Sequence, residues 1–148
     1  MTSYNLFLDD LRNPEHAYIF PKRDGCGIII PSQSLNEKSG IGNNDWVVVR
    51  DYTSFIQTLI LLGLPAAVSF DHDLHEEHTK HYYNVTQSTG IIEYGNLKHK
   101  TGKHCAEAFV KKWQESKTKV LPRVFIHSAN QYGAAEIEQV LCKYFKIE

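Results

Sequence analysis

The chain has 148 residues and a mass of 17.0 kDa, enough for one domain with a real core, and its 42% hydrophobic and 22% charged content suits an ordinary globular protein. With 16 Lys+Arg against 17 Asp+Glu the formal charge is −1, which excludes a long nucleic-acid surface but not a small nucleotide ligand. The three cysteines are far apart, so neither a disulfide framework nor a CxxC metal knuckle is present.

Met1-Thr2-Ser3-Tyr4 leads straight into a strand-like run with no basic leader, and the longest apolar run, near Phe55 to Leu64, is too short to span a bilayer. The expectation is a cytoplasmic protein with no membrane segment. Asn84-Val85-Thr86 matches a glycosylation sequon that has no meaning without secretion.

Tyr4 to Leu8 is the first strand and ends in Asp9-Asp10. Pro14 disfavours helix at Asn13, so the chain turns away instead of starting a crossover helix. Asn13 to Asp45 is rich in Pro, Gly, Ser and Asn and reads as a long irregular excursion, with a small strand at Ile28-Ile29-Ile30. Trp46-Val47-Val48-Val49 is the second strand and ends at Arg50. Asp51 or Thr53 caps the following helix, whose apolar face is Phe55, Ile56, Leu59 and Ile60 and whose stop is Gly63.

Pro65 precedes the third strand, which runs through Val68-Ser69-Phe70 into Asp71-His72-Asp73-Leu74. His75 to Lys100 is a second excursion, with a hairpin expected from Tyr82–Val85 and Ile91–Tyr94 around Ser88-Thr89-Gly90. Thr101 caps a helix beginning near Lys103, where Ala106, Phe109, Val110 and Trp113 share one face. Val124-Phe125-Ile126 is the fourth strand, ending in His127-Ser128-Ala129-Asn130. A last helix from about Gly133 carries Ile137, Val140, Leu141 and Tyr144 at helical spacing.

This alternation predicts a single α/β domain over residues 1–148: an open parallel sheet of receiver or flavodoxin-like type, core strand order 2-1-3-4, with helices on both faces. The two insertions span about 13–45 and 75–100. Each strand ends in chemically useful residues, and in that order the four ends meet at the switch point between strands one and three.

Asp9, Asp10, Asp71 and Asp73 would then crowd four carboxylates together, which repel unless an arginine, a proton or a cation intervenes. These four are the candidate ligands of a divalent metal, Mg²⁺ by its preference for oxygen donors. Arg12 and Arg50 suit phosphate binding, and Ser128 and Asn130 offer hydrogen bonds to phosphate or ribose. His72 and His127, each placed after an apolar strand, are the candidate proton carriers beside Asp71.

The turn around Ser128 lacks a GxSxG elbow, which argues against a hydrolase triad. His72, His75, His78 and His81 recur every three residues, but without HExxH or a nearby cysteine they read as an exposed histidine-rich insertion and not as a Zn²⁺ site.

Leu6-Phe7-Leu8-Asp9-Asp10-Leu11-Arg12 with Pro14, Trp46-Val47-Val48-Val49-Arg50, Ser69-Phe70-Asp71-His72-Asp73-Leu74, Thr101-Gly102 and His127-Ser128-Ala129-Asn130 together resemble the cyclic-phosphate processing receiver-like domain family. The resemblance implies a receiver-like fold and processing of a nucleotide or RNA-end cyclic phosphate by a phosphoesterase-like activity, a hydrolysis of phosphoester bonds. It does not extend to the two excursions, which are expected to flank the site.

Two alternatives remain at this level. One is a non-catalytic module that binds or sequesters a cyclic nucleotide. The other is a phospho-accepting signalling receiver, with Asp9 and Asp10 on Mg²⁺, Asp71 as acceptor and Ser128 as switch hydroxyl. The absence of a fifth strand ending in lysine counts against that second alternative.

Overall fold

The computed structural model describes residues 3–20, 32–80, 99–118 and 120–148. Strand β1 (Asn5–Leu8) leads into the first excursion, which holds a short antiparallel pair, β2 (Tyr18–Ile19) with β3 (Gln33–Ser34), and a short helix α1 (Leu35–Ser39). Then follow β4 (Trp46–Val49), α2 (Tyr52–Leu62), β5 (Ala67–Phe70), α3 (Gly102–Glu115), β6 (Arg123–Ile126) and α4 (Gln131–Leu141). The expected strand at Ile28-Ile29-Ile30, the hairpin Tyr82–Val85 with Ile91–Tyr94, the sequon at Asn84 and His81 lie outside the described residues.

The sheet order is β4-β1-β5-β6 with every neighbour parallel. Counting only the four core strands, this is the predicted 2-1-3-4. Residues of opposite parity on each strand feed two separate cores, as the two-residue period of a strand requires. Leu6, Leu8, Val68, Phe70, Val124 and Ile126 face α2, α3 and α4 and pack with Phe55, Leu59, Phe109, Ile137 and Leu141. Phe7, Trp46, Ala67 and Phe125 face the other way, against Ala17, Ile19 and Leu35 of the first excursion.

The three long helices therefore share one face. Among the described residues the opposite face has only the short α1 and the excursion around it. This follows from Pro14, which holds the chain after β1 in a short 3-10 turn (Pro14–His16) where a crossover helix would otherwise start.

Local sequence sets the helix ends. Asp51 caps α2 by accepting the Ser54 N–H at 2.8 Å, and Gly63 ends it at φ 78°, a conformation that favours glycine. Asn130 caps α4 by accepting the Gly133 N–H at 2.9 Å, two residues earlier than the helix start read from the sequence. The helical spacing continues to Tyr144, but α4 stops at Leu141, and the Tyr144 ring lies 6.0 Å from that of Trp113. Beyond it, Ile147 makes an isolated parallel bridge to Val124 at the start of β6, the end of the sheet remote from the polar rim. Among the described residues no helix is long and apolar enough to cross a membrane.

Candidate functional site

Register places the rim. Leu8 is level with Val49 and Phe70, and Phe70 with Ile126, so the next residue of each strand stands in one row: Asp9, Arg50, Asp71 and His127. Three backbone bonds extend the ladder into this row: Asp9 N–H to Val49 O (3.1 Å), Asp71 N–H to Leu8 O (3.0 Å) and His127 N–H to Phe70 O (3.0 Å). The four strand ends expected to meet do meet. Above them lies a cavity of ≈ 280 Å³ whose polar lining is Asp9, Asp10, Arg12, Asp71, Asp73, Thr79 and Asn130.

Asp9 is the most heavily bonded of these. Its Oδ1 accepts the backbone N–H groups of Leu11 (2.9 Å) and Arg12 (2.7 Å), and its Oδ2 accepts Arg12 Nε–H (2.9 Å) and His127 Nε2–H (3.0 Å). Burial would raise its pKa, but the hydrogen bond from His127 and the two backbone donors outweigh that and bring it down to about 2. Asp71 goes the other way. Burial, then the charge of Asp9, raise its carboxyl well above the usual range, and Arg12, whose Nη2 is 3.5 Å from Oδ1, offsets only part of this. Asp10, half-buried, is likewise raised by burial and by Asp9.

His127 has no exposed surface. It stacks on Phe7 at 4.6 Å and 7°, with Nδ1 2.7 Å from Ser69 Oγ and Nε2 on Asp9. A carboxylate only accepts, so Nε2 carries the proton and Nδ1 accepts from the Ser69 hydroxyl. Burial lowers the pKa of this ring and holds it neutral despite Asp9.

His72 is also fully buried but turns to the helical face. Its Nδ1 is 2.8 Å from Asp73 Oδ1 and its Nε2 is 3.4 Å from Glu136 Oε2. Burial would lower its pKa. The hydrogen bonds and charges of Asp73 and Glu136 outweigh that and raise it, which favours the protonated ring between two carboxylates.

Two glycines make this packing possible. A Cβ on Gly133 would lie 2.2 Å from His72 Cγ, and one on Gly102 would lie 1.8 Å from the Asp71 carbonyl oxygen. Gly102 also donates its N–H to His72 O at 2.8 Å, fixing the start of α3 against the strand end.

Not every candidate converges on the cavity. Neither His72 nor His127 lines it; each stands behind a carboxylate that does. Asp73 lines it but is bonded to His72 and to Asn130 Nδ2 (3.1 Å), whereas Asp9, Asp10 and Asp71 are the three that offer oxygens within 4.8 Å of one another. Arg50 braces the β1 loop, bonding Asp9 O (3.1 Å), Arg12 O and Asn13 Oδ1 (2.6 Å). Ser128 accepts the Asn130 N–H at 3.2 Å and borders a separate cavity beside Ile19, Phe20 and α4.

The sequence assigns no site role to Ser69, Glu136, Gly102 or Gly133. Ser69 had a readable signal: a hydroxyl between Val68 and Phe70 in a buried strand needs a partner. Glu136 had none, because its role depends on where α4 docks.

Searches among curated proteins and among solved structures find no match. A model of the family described as cyclic-phosphate processing receiver domain does match, over residues 4–143, nearly the whole chain, and the protein belongs to that family.

Proposed function

We propose that the protein hydrolyses a cyclic phosphate of a nucleotide or RNA end in the rim cavity. The observation that carries this is the convergence of Arg12, Asp10, Asp71 and Asn130 on one opening above the strand ends. Arg12, held through Nε by Asp9 and 30% exposed, turns the rest of its guanidinium to a phosphoryl oxygen. Asn130 Nδ2 is a second donor. Ring opening adds water across one P–O ester bond: water loses a proton as its oxygen bonds phosphorus, and the departing ribose oxygen gains one. A carboxyl with a raised pKa suits the donor role, and Asp71 fills it, with Asp10 as the acceptor.

His72 and His127 are positioning residues in this scheme. His127 holds Asp9, which aims Arg12; His72 holds Asp73, which aims Asn130.

An acid-rich cavity with one arginine repels a phosphate, so a hard dication belongs to the proposal. The oxygens of Asp9, Asp10 and Asp71 fit one chemically. Asp9 already accepts four N–H groups and Asp71 keeps its proton for the donor role, which leaves Asp10 as the direct ligand. When bound, Mg²⁺ would neutralise the cavity and polarise a phosphoryl oxygen.

The test is turnover of a panel of 2′,3′- and 3′,5′-cyclic mononucleotides, cyclic dinucleotides and cyclic-phosphate RNA, with and without EDTA. Turnover is expected to be lost in Asp71→Asn and Arg12→Lys. In His127→Gln it should be reduced while the pH profile keeps its shape, because a positioning residue contributes no titrating limb. Loss of a limb would make His127 the proton carrier instead. A binding module is the second reading, favoured because neither buried histidine lines the cavity. Tight binding with every ligand recovered intact would establish it. A phospho-accepting role for Asp71 has less support, since among the described residues no lysine lines the cavity.

A further inference from the structure

The histidine-rich segment after β5 divides by role. His72 is held between carboxylates, and His78 is a buried tie, its Nδ1 accepting the Leu74 N–H (2.9 Å) and its Nε2 2.8 Å from His99 O. His75 is different. Its ring stacks on that of His99 at 3.6 Å and 6°, and Glu77 joins them, all three offering a ligand atom within 4.8 Å of one another.

The Nδ1 atom of His99 is shut off from solvent and makes no hydrogen bond, although Glu77 Oε1 is only 2.9 Å away. That oxygen instead accepts the His99 backbone N–H at 2.6 Å. The ring nitrogen and the carboxylate oxygen stand at ion-pair distance without good hydrogen-bond geometry, an arrangement that a shared cation would satisfy. Two ligands of a tetrahedral Zn²⁺ at 2.0–2.1 Å stand about 3.3 Å apart, so the Glu77–His99 pair is already near ligand spacing.

We propose that His75, Glu77 and His99 form a site for a transition-metal dication of the Zn²⁺ class, clipping together the two ends of the second excursion. Two imidazoles and one carboxylate are a donor set for such an ion, whereas Mg²⁺ takes oxygens. Coordination requires the two rings to fan apart from their parallel stack. The backbone is arranged for it: His78 and Glu77 both reach across to residue 99, 21 and 22 positions on. The clip lies beside Thr79, which lines the rim cavity, so the ion would fix one wall of that cavity without touching its carboxylates.

The test uses tag-free full-length protein, stripped with EDTA and then kept in excess Mg²⁺ to occupy the rim oxygens. Titration with Co²⁺ should give visible d–d absorption of tetrahedral type, saturating at one equivalent per chain and abolished by Zn²⁺. His99→Ala and Glu77→Gln should each weaken binding by more than the about 10–100-fold that losing an outer-shell partner costs. His16→Ala and Asp10→Asn should bind as the wild type does.

Absence of a saturable band, or a band of the same affinity in both His99→Ala and Glu77→Gln, overturns the proposal. Thermal melts give an independent reading should a variant fold poorly. Zn²⁺ should raise the wild-type melting temperature and leave that of Glu77→Gln unmoved; no rise in the wild type would also overturn it. None of these readouts depends on phosphoesterase activity.

Discussion

Gly133→Ala separates two arguments that predict opposite signs. Gly133 is the third residue of α4 and does not have a positive φ, so by helix propensity alone alanine should stabilise, by up to about 1 kcal/mol. The structure predicts the reverse. The new methyl would lie 2.2 Å from Cγ, 2.5 Å from Nδ1 and 2.6 Å from Cβ of His72, which has no exposed surface and no room to retreat. Ordinary contact begins at 3.4 Å, so the ring or the helix must yield by about 1.2 Å.

Overpacking of this kind costs about 1–3 kcal/mol. Moving the ring also stretches its 2.8 Å bond to Asp73, and a hydrogen bond to a charged group contributes about 1.5–3 kcal/mol. Net of the propensity gain, about 2–4 kcal/mol of destabilisation is expected, or roughly 5–15 °C in melting temperature at this chain length. Urea and thermal melts of the two proteins measure it directly. A melting temperature equal to or above that of the wild type would refute the tight packing of His72 under α4, and with it the positioning role given to that histidine.

Asp71→Asn should stabilise while it inactivates. It removes a carboxyl whose ionisation burial and Asp9 penalise, and Asn Oδ1 can still accept the His72 N–H, so a gain of about 0.5–2 kcal/mol in melts is expected alongside lost turnover. Unchanged or lower stability would mean that Asp71 is not strained by its neighbours. Asp9 gives an acid limb: its folded pKa of about 2 lies below the ordinary 3.8, so its contribution is full above 3.8 and lost as pH falls toward 2. That contribution is on the order of 2 kcal/mol, and the difference between wild-type and Asp9→Asn stability should shrink over that window.

His72 gives an alkaline limb of opposite sense. Its raised pKa means the bonded imidazolium stabilises fully below 6.5 and less as pH rises through the folded value. Glu136→Gln should flatten that loss above neutrality, and a stability profile identical to that of the wild type would remove Glu136 from the site.

The sequence by itself determined the four strands, their end residues, three of the helices and the order 2-1-3-4. These follow from apolar runs, caps and the alternation of strand and helix, which are local. It also determined that Asp9, Asp71 and His127 would stand at one level, because parallel strands of equal length end together.

Only the tertiary structure decided which way each end residue faces and what it meets. His127 falls on the same side of the sheet as Phe7 and Ser69, is closed over by them, and so stands behind Asp9 instead of facing the cavity. His72 falls on the other side, under Gly133, between Asp73 and a glutamate contributed by a helix sixty-four residues later. Arg50, which looked like a phosphate ligand, is used up on the carbonyls and Asn13 of the β1 loop.

Local pattern places a polar residue at a strand end. Whether that residue faces solvent, substrate or another side chain depends on the elements that pack over it, and those come from distant parts of the chain. His99 is the clearest case: nothing around it in sequence marks it, and only the fold lays its ring on that of His75.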